Sequence, residues 1–229
     1  MFDGSGRRPV PVHAVPGSPA PNRGAPPIRL RFRKRVWTDT ARIFSTVCNP
    51  FLTSLALFVI LAGGRSANAS DFWILLFNSA FFTSVAPMLF VFFLYATDRI
   101  SDLDMSIRAE RERVFLAFVA FYALGATDLW LIHAPPIMTA SMAAYAASAL
   151  VVQWITRYWK ISTHALGITA PLVALSVLYG VRPLPFFVLI PIVCWSRVYL
   201  RAHTLAQVAA GMALALATTL LFFRIFHVV

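Results

Sequence analysis

Long apolar stretches alternate with short polar connections along most of this chain. Seven stretches reach or approach the length that a helix needs to cross about 30 Å of hydrocarbon. None alternates apolar and polar residues as a membrane β-strand does, so all seven are predicted to be helices. They are Ile43 to Gly64, Phe72 to Ala96, Val114 to Ala134, Pro136 to Ile155, Ala165 to Val181, Leu184 to Val198 and Leu205 to Phe226.

The fifth and sixth stretches are short for a membrane span. Pro183, Pro185 and Pro191 interrupt the sixth, and proline breaks the hydrogen-bond ladder of a helix. The two stretches form either tilted spans or a re-entrant helical hairpin. The prediction is therefore an all-α, polytopic transmembrane helical bundle with about six to seven spans, or five if the two form a hairpin.

Composition supports a membrane protein and marks a separate N-terminal region. Hydrophobic residues make up 59% of the chain and charged residues 13%, against roughly a quarter charged in soluble domains. Residues 1–36 are rich in Pro, Gly, Ser and Arg, and too few of them are apolar to form a core. We therefore expect a disordered, basic, Pro-rich tail at 1–36 and a transmembrane domain at 37–229.

The distribution of basic residues predicts how the chain is oriented. If the loops are assigned alternately to the two sides, only Arg65, Arg182 and Arg224 of the 20 Lys and Arg residues lie opposite the others. Basic loops remain in the cytoplasm, so the N-terminus is predicted to be cytoplasmic and the protein to be a multi-pass protein of the cell membrane. The basic residues are not interleaved with aromatic residues in a folded domain, and a nucleic-acid partner is not expected.

Three polar clusters stand at the ends of predicted spans. Two spans separate the first cluster from the second, and two more separate the second from the third. All three are therefore expected on the cytoplasmic face, where they can form one pocket. The first cluster is Asp98 to Arg113 with Arg108 and Arg111, the second is Lys160 to His164 with Ser162 and Thr163, and the third is Ser196 to Gln207 with Arg197 and His203.

The side chains in these clusters suit a phosphate ligand. Arginines bind phosphate oxygens through paired N–H groups, hydroxyls donate to them, and histidines titrate near neutral pH. If Arg197 and His203 touch one phosphate, the helix must end or bend between them, because six helical residues would turn them roughly 120° apart. His203 and Gln207 are four residues apart, share a helix face and can form a hydrogen bond.

The spacing within the clusters resembles the type 2 phosphatidic acid phosphatases, membrane relatives of the vanadium haloperoxidases. That family carries the motifs K-x6-R-P, P-S-G-H and S-R-x5-H-x3-D. Ser196, Arg197 and His203 match the third motif, with Gln207 in place of its Asp. The second is matched by Ser162 and His164, with Ile161 and Thr163 in place of Pro and Gly. The first is matched loosely: Arg113-Val114 stands for Arg-Pro and Ser106 for the Lys.

The resemblance covers roughly residues 98 to 207 and implies a reaction. The implied function is hydrolysis of a phosphate monoester or diphosphate on an isoprenoid or glycerolipid of the bilayer, without a metal or other cofactor. His203 would be the nucleophile that forms a phosphohistidine, His164 the general acid, and Gln207 the residue that orients His203. The implied phosphate-binding residues are Arg197, Arg113, Ser162, Thr163, Ser196, Arg111, Lys160 and Arg108.

Departures from the family pattern keep other functions open. Gln207 provides no negative charge beside His203, and Thr163 replaces a glycine that lets the backbone approach phosphate. A non-catalytic protein of the same fold that binds or transports lipid phosphate is the alternative. The predicted cytoplasmic site is a further departure, because many family members act on the outer or lumenal face.

A third interpretation starts from the acidic residues of the first cluster. Asp98, Asp102 and Asp104 resemble one magnesium-binding motif of membrane prenyltransferases, which need a second such motif. No Asp or Glu follows Asp128, which argues against these enzymes and against CDP-alcohol phosphatidyltransferases. Pairing with the arginines of the same cluster is the preferred role for these aspartates.

Overall fold

The computed structural model describes residues 28–103 and 107–229, with side chains from residue 34 onward except at Arg108. Within these residues the fold is all-helical and has no strand. Trp37–Val229 form one compact unit, and the described residues before it, 28–36, belong to a separate one. The α-helices are α1 (Ile28–Val47), α2 (Pro50–Arg65), α3 (Ala69–Ala80), α4 (Ala86–Ala96), α5 (Arg108–Leu131), α6 (Pro136–Thr156), α7 (Thr163–Tyr179), α8 (Leu189–Tyr199) and α9 (Leu205–Ile225).

Several helices are long and apolar enough to cross a membrane. In the described part of the chain there are four such spans, or up to five if the bent pair Lys34–Val47 and Pro50–Arg65 is one span. The four are Ala69–Ala96, Ala109–Leu131, Pro136–Thr156 and Leu205–Ile225. The predicted fifth and sixth stretches form shorter apolar helices, Thr163–Tyr179 and Leu184–Tyr199. The six to seven spans remain a prediction.

The first predicted stretch, Ile43 to Gly64, is two helices that meet at an angle of 48°. Asn49 separates the two helices because it caps the start of α2. Its side-chain oxygen accepts hydrogen bonds from the backbone N–H groups of Phe51 (2.9 Å) and Leu52 (3.0 Å). Pro50 follows at the first helical position, where a missing N–H does no harm. The prediction of one unbroken helix was wrong because an Asn-Pro pair starts a helix more readily than it continues one.

The second stretch is continuous despite Pro87. A π-helical turn at Phe81–Val85 joins α3 to α4, and Pro87 is the second residue of α4. Pro87 lacks an N–H and its ring would press on a preceding carbonyl, so the wider turn accommodates it. Ser84 in this turn donates to the carbonyl oxygen of Phe51 (2.7 Å) and so fastens the turn to α2.

The helices of the unit Trp37–Val229 pack closely around its core. α5 packs along α6, and α9 packs against α6 and α7. Phe58, Leu129, Met138 and Met142 are fully buried in this core. At Gly211 the backbone of α9 runs so close to α7 that a Cβ atom would overlap the carbonyl oxygen of Ser162.

Helix α1 begins inside the segment that was expected to be disordered. Residues 28–36 are helical, since the proline-rich sequence ends at Pro27 and apolar residues recur among the arginines. The prediction for residues 1–27 lies outside the described residues, as do Asp104 and Ser106.

Candidate functional site

A cavity of about 610 Å³ is lined by residues of α1, α2, α4, α5, α6, α7 and α8. Arg111, His164, Arg197 and His203 line one end of it. Further along α5 the lining is Phe115, Phe118 and Tyr122, and these residues share one helix face with Arg111. The cavity therefore passes from a cationic end to an aromatic interior over roughly 16 Å of helix α5.

The turn after α8 holds Arg197 and His203 together. Helix α8 ends at Tyr199, and Arg201 takes a left-handed conformation (φ 56°) that reverses the chain direction. The carbonyl oxygen of Arg197 accepts hydrogen bonds from the N–H groups of Ala202 (3.0 Å) and His203 (3.2 Å). As expected, the helix ends between the two side chains, and both line the cavity.

A capping box at the start of α9 orients His203. Nδ1 of His203 lies 3.1 Å from Oε1 of Gln207, and the same Oε1 accepts the backbone N–H of Thr204 at 3.1 Å. The Thr204 hydroxyl in turn accepts from the N–H of Gln207 (3.3 Å). The Thr204 N–H needs an acceptor, so the amide atom of Gln207 that it contacts must be the oxygen. The same oxygen therefore faces His203. Nδ1 therefore carries the hydrogen, and Nε2 keeps its lone pair.

His203 is electrically neutral at neutral pH. Its side chain is only 6% exposed. Burial, reinforced by the positive charges of Arg197, Lys160 and Arg111, lowers the pKa of His203 from 6.5 to about 3, although its hydrogen bond with Gln207 acts in the opposite direction. A neutral imidazole has a lone pair with which it can act as a nucleophile, and the neighbouring positive charges attract anions.

The second cluster has two buried residues and two that face the cavity. Thr163 and His164 line the cavity. Ser162 was predicted to bind phosphate, but it is fully buried and caps α7 by accepting the N–H of Ala165 (3.3 Å). Its own N–H donates to the carbonyl oxygen of Gln207 (3.2 Å), which joins the second cluster to the third.

Ser196 is another predicted phosphate-binding residue that the structure does not bring to the cavity lining. It is fully buried and donates to the carbonyl oxygen of Val193 (2.7 Å) within α8. Lys160 is half-buried and outside the lining, but its charge acts on His203. Ser196 thus stabilises the helix, and Lys160 contributes to the positive potential around the site.

The first cluster contributes Arg111. This side chain is only 3% exposed, donates to the carbonyl oxygen of Ile161 (2.7 Å) and packs over the ring of Phe115. Arg113 is exposed and does not line the cavity, because two helical residues rotate it roughly 200° away from Arg111. Helix α5 starts at Arg108, whose side chain lies outside the described residues.

The acidic residues near the first cluster pair mainly outside the cavity. Glu110 accepts from both the N–H and the hydroxyl of Ser101 at 3.0 Å, and Glu112 forms an ion pair with Arg157 at 2.8 Å. Within the described residues, no group of three or more His, Cys, Asp or Glu side chains is arranged to hold a metal ion. Glu110 therefore joins the start of α5 to Ser101, and Glu112 joins it to Arg157 at the end of α6.

The sequence analysis missed a set of residues at the break between α1 and α2. Arg42, Ser45 and Asn49 line the cavity, and the Ser45 hydroxyl accepts a hydrogen bond of 2.6 Å from a terminal nitrogen of Arg197. The Asn49-Pro50 pair was the available signal, because Asn followed by Pro is typical of a helix start and so of a break in the first stretch. These residues add a third cation and two polar groups to the cationic end.

The cavity also opens toward the apolar surface of the protein. Met88, Phe92 and Leu103 line it and are themselves between 37% and 49% exposed. A ligand with a hydrocarbon chain could therefore reach the cavity from the side. No protein-family model, curated protein or solved structure matched this chain when it was compared with each.

Proposed function

We propose that this protein is an integral membrane phosphatase that hydrolyses lipid phosphates through a phosphohistidine intermediate. One observation carries the proposal: neutral, oriented His203 shares a cavity with Arg111, Arg197 and His164, and the same cavity continues into an aromatic interior. The cationic end fits a phosphate, and the interior fits the hydrocarbon chain attached to it.

The first chemical step is attack by His203. Nε2 of His203 uses its lone pair to form a bond to phosphorus while the bond from phosphorus to the lipid oxygen breaks. His164 gives a proton to the departing oxygen, and the lipid alcohol leaves. Arg111 and Arg197 stabilise the charge that spreads over the three remaining oxygens in the transition state.

The second step regenerates the enzyme. Water attacks the phosphohistidine, His164 accepts a proton from it, and the bond from phosphorus to Nε2 breaks to release inorganic phosphate. Throughout, Gln207 holds the Nδ1–H of His203 through the bond of 3.1 Å. The neutral amide of Gln207 fixes the tautomer of His203 but adds no negative charge. The negative charge that offsets the surrounding arginines therefore comes from the substrate phosphate.

The proposal includes a route by which the substrate enters and an orientation of the chain in the membrane. The lateral opening at Met88, Phe92 and Leu103 supports a substrate that arrives from the bilayer. We propose that the site faces the cytoplasm, because most basic residues stand at the end of the helices where the clusters lie. The substrate is then met in the inner leaflet.

The orientation is tested by labelling single cysteines in intact cells after Cys48 and Cys194 have been replaced by Ala. Lys160→Cys should react only after the membrane is permeabilised, since it stands beside the site. Ser66→Cys, between α2 and α3, should react from outside. Labelling of residue 160 in intact cells would show that the site is not cytoplasmic.

The reaction is tested with purified protein and a panel of lipid monophosphates and diphosphates. The wild type should release inorganic phosphate, and His203→Ala and His164→Ala should each abolish release while the melting temperature stays close to wild type. Stopping the reaction in base should trap phosphate on the protein, and later acid treatment should release it, as expected of phosphohistidine. Phosphate release that survives His203→Ala would exclude this mechanism.

The second candidate function is a binder or transporter of lipid phosphate. Gln207 favours it, because the family position carries an acid and an amide provides less support for a cationic intermediate. In that case the wild type releases no phosphate but binds lipid phosphate, and Arg197→Ala loses the binding. Measuring whether the wild type releases phosphate therefore distinguishes the two functions.

A further inference from the structure

The deep end of the cavity carries hydroxyl groups in surroundings that are otherwise apolar. Ser54 of α2, Tyr122 of α5 and both Tyr145 and Ser148 of α6 line it there. Each of these residues lies within a helix, well away from the cationic end at Arg111. Polar groups at such depth in a membrane protein usually have a partner or a function.

Three of these residues are held by their neighbours. Ser148 shares a hydrogen bond of 2.8 Å with Thr218 of α9, and Ser54 donates to the carbonyl oxygen of Pro50 at 2.6 Å. The ring of Tyr122 packs 6.0 Å from that of Tyr145. Their positions are therefore fixed by contacts that do not involve a ligand.

Tyr145 is different. Its side chain is 6% exposed, and its ring lies between those of Phe58 (6.3 Å) and Tyr122 (6.0 Å). Within the described residues its hydroxyl has no partner at hydrogen-bonding distance and angle; it interacts weakly with Ser54, whose own proton is donated to the carbonyl oxygen of Pro50. A buried hydroxyl without a partner is unfavourable, and it is more so in hydrocarbon, where solvent is not at hand.

We propose that the Tyr145 hydroxyl binds an oxygen-bearing group on the chain of the phosphorylated lipid, so that the cavity recognises its ligand at both ends. This inference rests on the proposed function, because it takes the phosphate to be at Arg111 and Arg197. Tyr145 donates to a hydroxyl, ether or carbonyl oxygen, or accepts from a hydroxyl. It acts as a specificity-determining residue and takes no part in the chemistry.

The geometry sets where that oxygen stands along the chain. Tyr122 marks the depth of Tyr145 in the cavity, because their rings are 6.0 Å apart. Arg111 and Tyr122 lie on one face of α5, about 16 Å apart along the helix axis. An extended chain advances about 1.2 Å per bond. The oxygen function is therefore expected roughly a dozen bonds from the phosphorus.

The experiment measures binding of phosphonates to the purified full-length protein, since their carbon–phosphorus bond resists hydrolysis and binding is seen without turnover. The ligands are dodecylphosphonate and its 12-hydroxy and 6-hydroxy forms, each titrated by calorimetry in the same nanodiscs. The wild type should bind the 12-hydroxy form about tenfold more tightly than the plain form, which is the scale of a buried hydrogen bond. The 6-hydroxy form should show no such gain.

The matched variants are Tyr145→Phe and Tyr95→Phe. Tyr145→Phe keeps the ring and removes the hydroxyl, so the preference for the 12-hydroxy form should disappear. Tyr95→Phe makes the same change at an exposed residue outside the cavity, and the preference should persist. If Tyr145→Phe does not fold, the comparison of the 12-hydroxy and 6-hydroxy forms on the wild type decides the question.

The outcomes separate this inference from the proposed function. Equal binding of all three phosphonates by the wild type, or a preference that survives Tyr145→Phe, overturns the inference and leaves a lipid-phosphate site in place. That result would mean that water satisfies the hydroxyl. Failure of every phosphonate to bind overturns both the inference and the proposed function.

Discussion

Gln207→Glu should raise the pKa of His203 while leaving the fold intact. Oε1 of Gln207 lies 3.1 Å from Nδ1 of His203 and 3.1 Å from the N–H of Thr204. Glu serves in a capping box as well as Gln does, so the start of α9 should be retained. The longer side chain suits this test better than Asp, which would not reach back to Thr204.

The size of the effect follows from the distance. A full negative charge about 3 Å from an imidazolium contributes about 5 kcal/mol at an effective dielectric constant of about 20, as an upper value. Competition from Arg197 and the cost of burying the carboxylate reduce this, and an opposite charge so close typically shifts a pKa by about 1 to 3 units. The pKa of His203 should therefore rise from about 3 to between about 4 and 6.

Activity should rise or hold in this variant. His203 stays neutral at pH 7, so Nε2 still attacks, and the new carboxylate stabilises the positive charge that the ring gains in the phosphohistidine. Gln207→Leu is the contrasting variant, because it removes the acceptor and frees the tautomer. Phosphate release should fall in Gln207→Leu and should not fall in Gln207→Glu.

The pKa is measured by NMR of protein labelled with ¹³C at histidine. The chain has 5 histidines, and the His203 signal is assigned by its loss in His203→Asn. Phosphate release is measured on the same preparations. A His203 pKa that does not move in Gln207→Glu would refute the pairing on which this reasoning depends.

Three further predictions concern charge, pH and packing. Arg111→Ala should reduce phosphate release by tenfold or more by removing a buried charge-assisted contact, whereas Arg113→Ala should have little effect, both measured as kcat/KM. The pKa of His203 is lower in the folded protein than the usual 6.5, so the unfolded chain binds more protons between pH 3 and 6.5. The free energy of unfolding should therefore drop as the pH falls through that window, by at most about 1.4 kcal/mol per pH unit. Thermal unfolding of His203→Asn should lack this part of the pH dependence. Gly211→Ala should lower the melting temperature and phosphate release because its Cβ meets α7, while Gly63→Ala, whose nearest neighbour is 3.9 Å away, should be tolerated in the same assays.

The helical class and most helix positions could be predicted from the sequence. Runs of apolar residues long enough to span a membrane leave few alternatives to a helix. The bend at Asn49-Pro50 was missed because both flanking segments are apolar enough to be read as one span. The π-helical turn before Pro87 could not be predicted from the length or hydropathy of the second stretch. The turn leaves the span continuous, so neither property changes there.

The candidate site was predictable where it depended on local spacing. His203 and Gln207 are four residues apart at the start of a helix, and the expected hydrogen bond is present. The choice between Arg111 and Arg113 was not decided by spacing, since it depends on how α5 is rotated against α6 and α7. Ser45 was missed for a similar reason: a bend far along the chain brings it to Arg197.

The loop before α7 explains how residues from distant parts of the chain act together. The carbonyl oxygen of Ile161 accepts from Arg111, and the next N–H, that of Ser162, donates to the carbonyl oxygen of Gln207. The single peptide group between Ile161 and Ser162 thus links Arg111 to Gln207, the residue that orients His203. Gly211 allows this contact, because any larger residue would push α9 away from Ser162. His203 and Arg111 should therefore move as one unit, and a change in this loop should alter the proposed phosphate binding and turnover together.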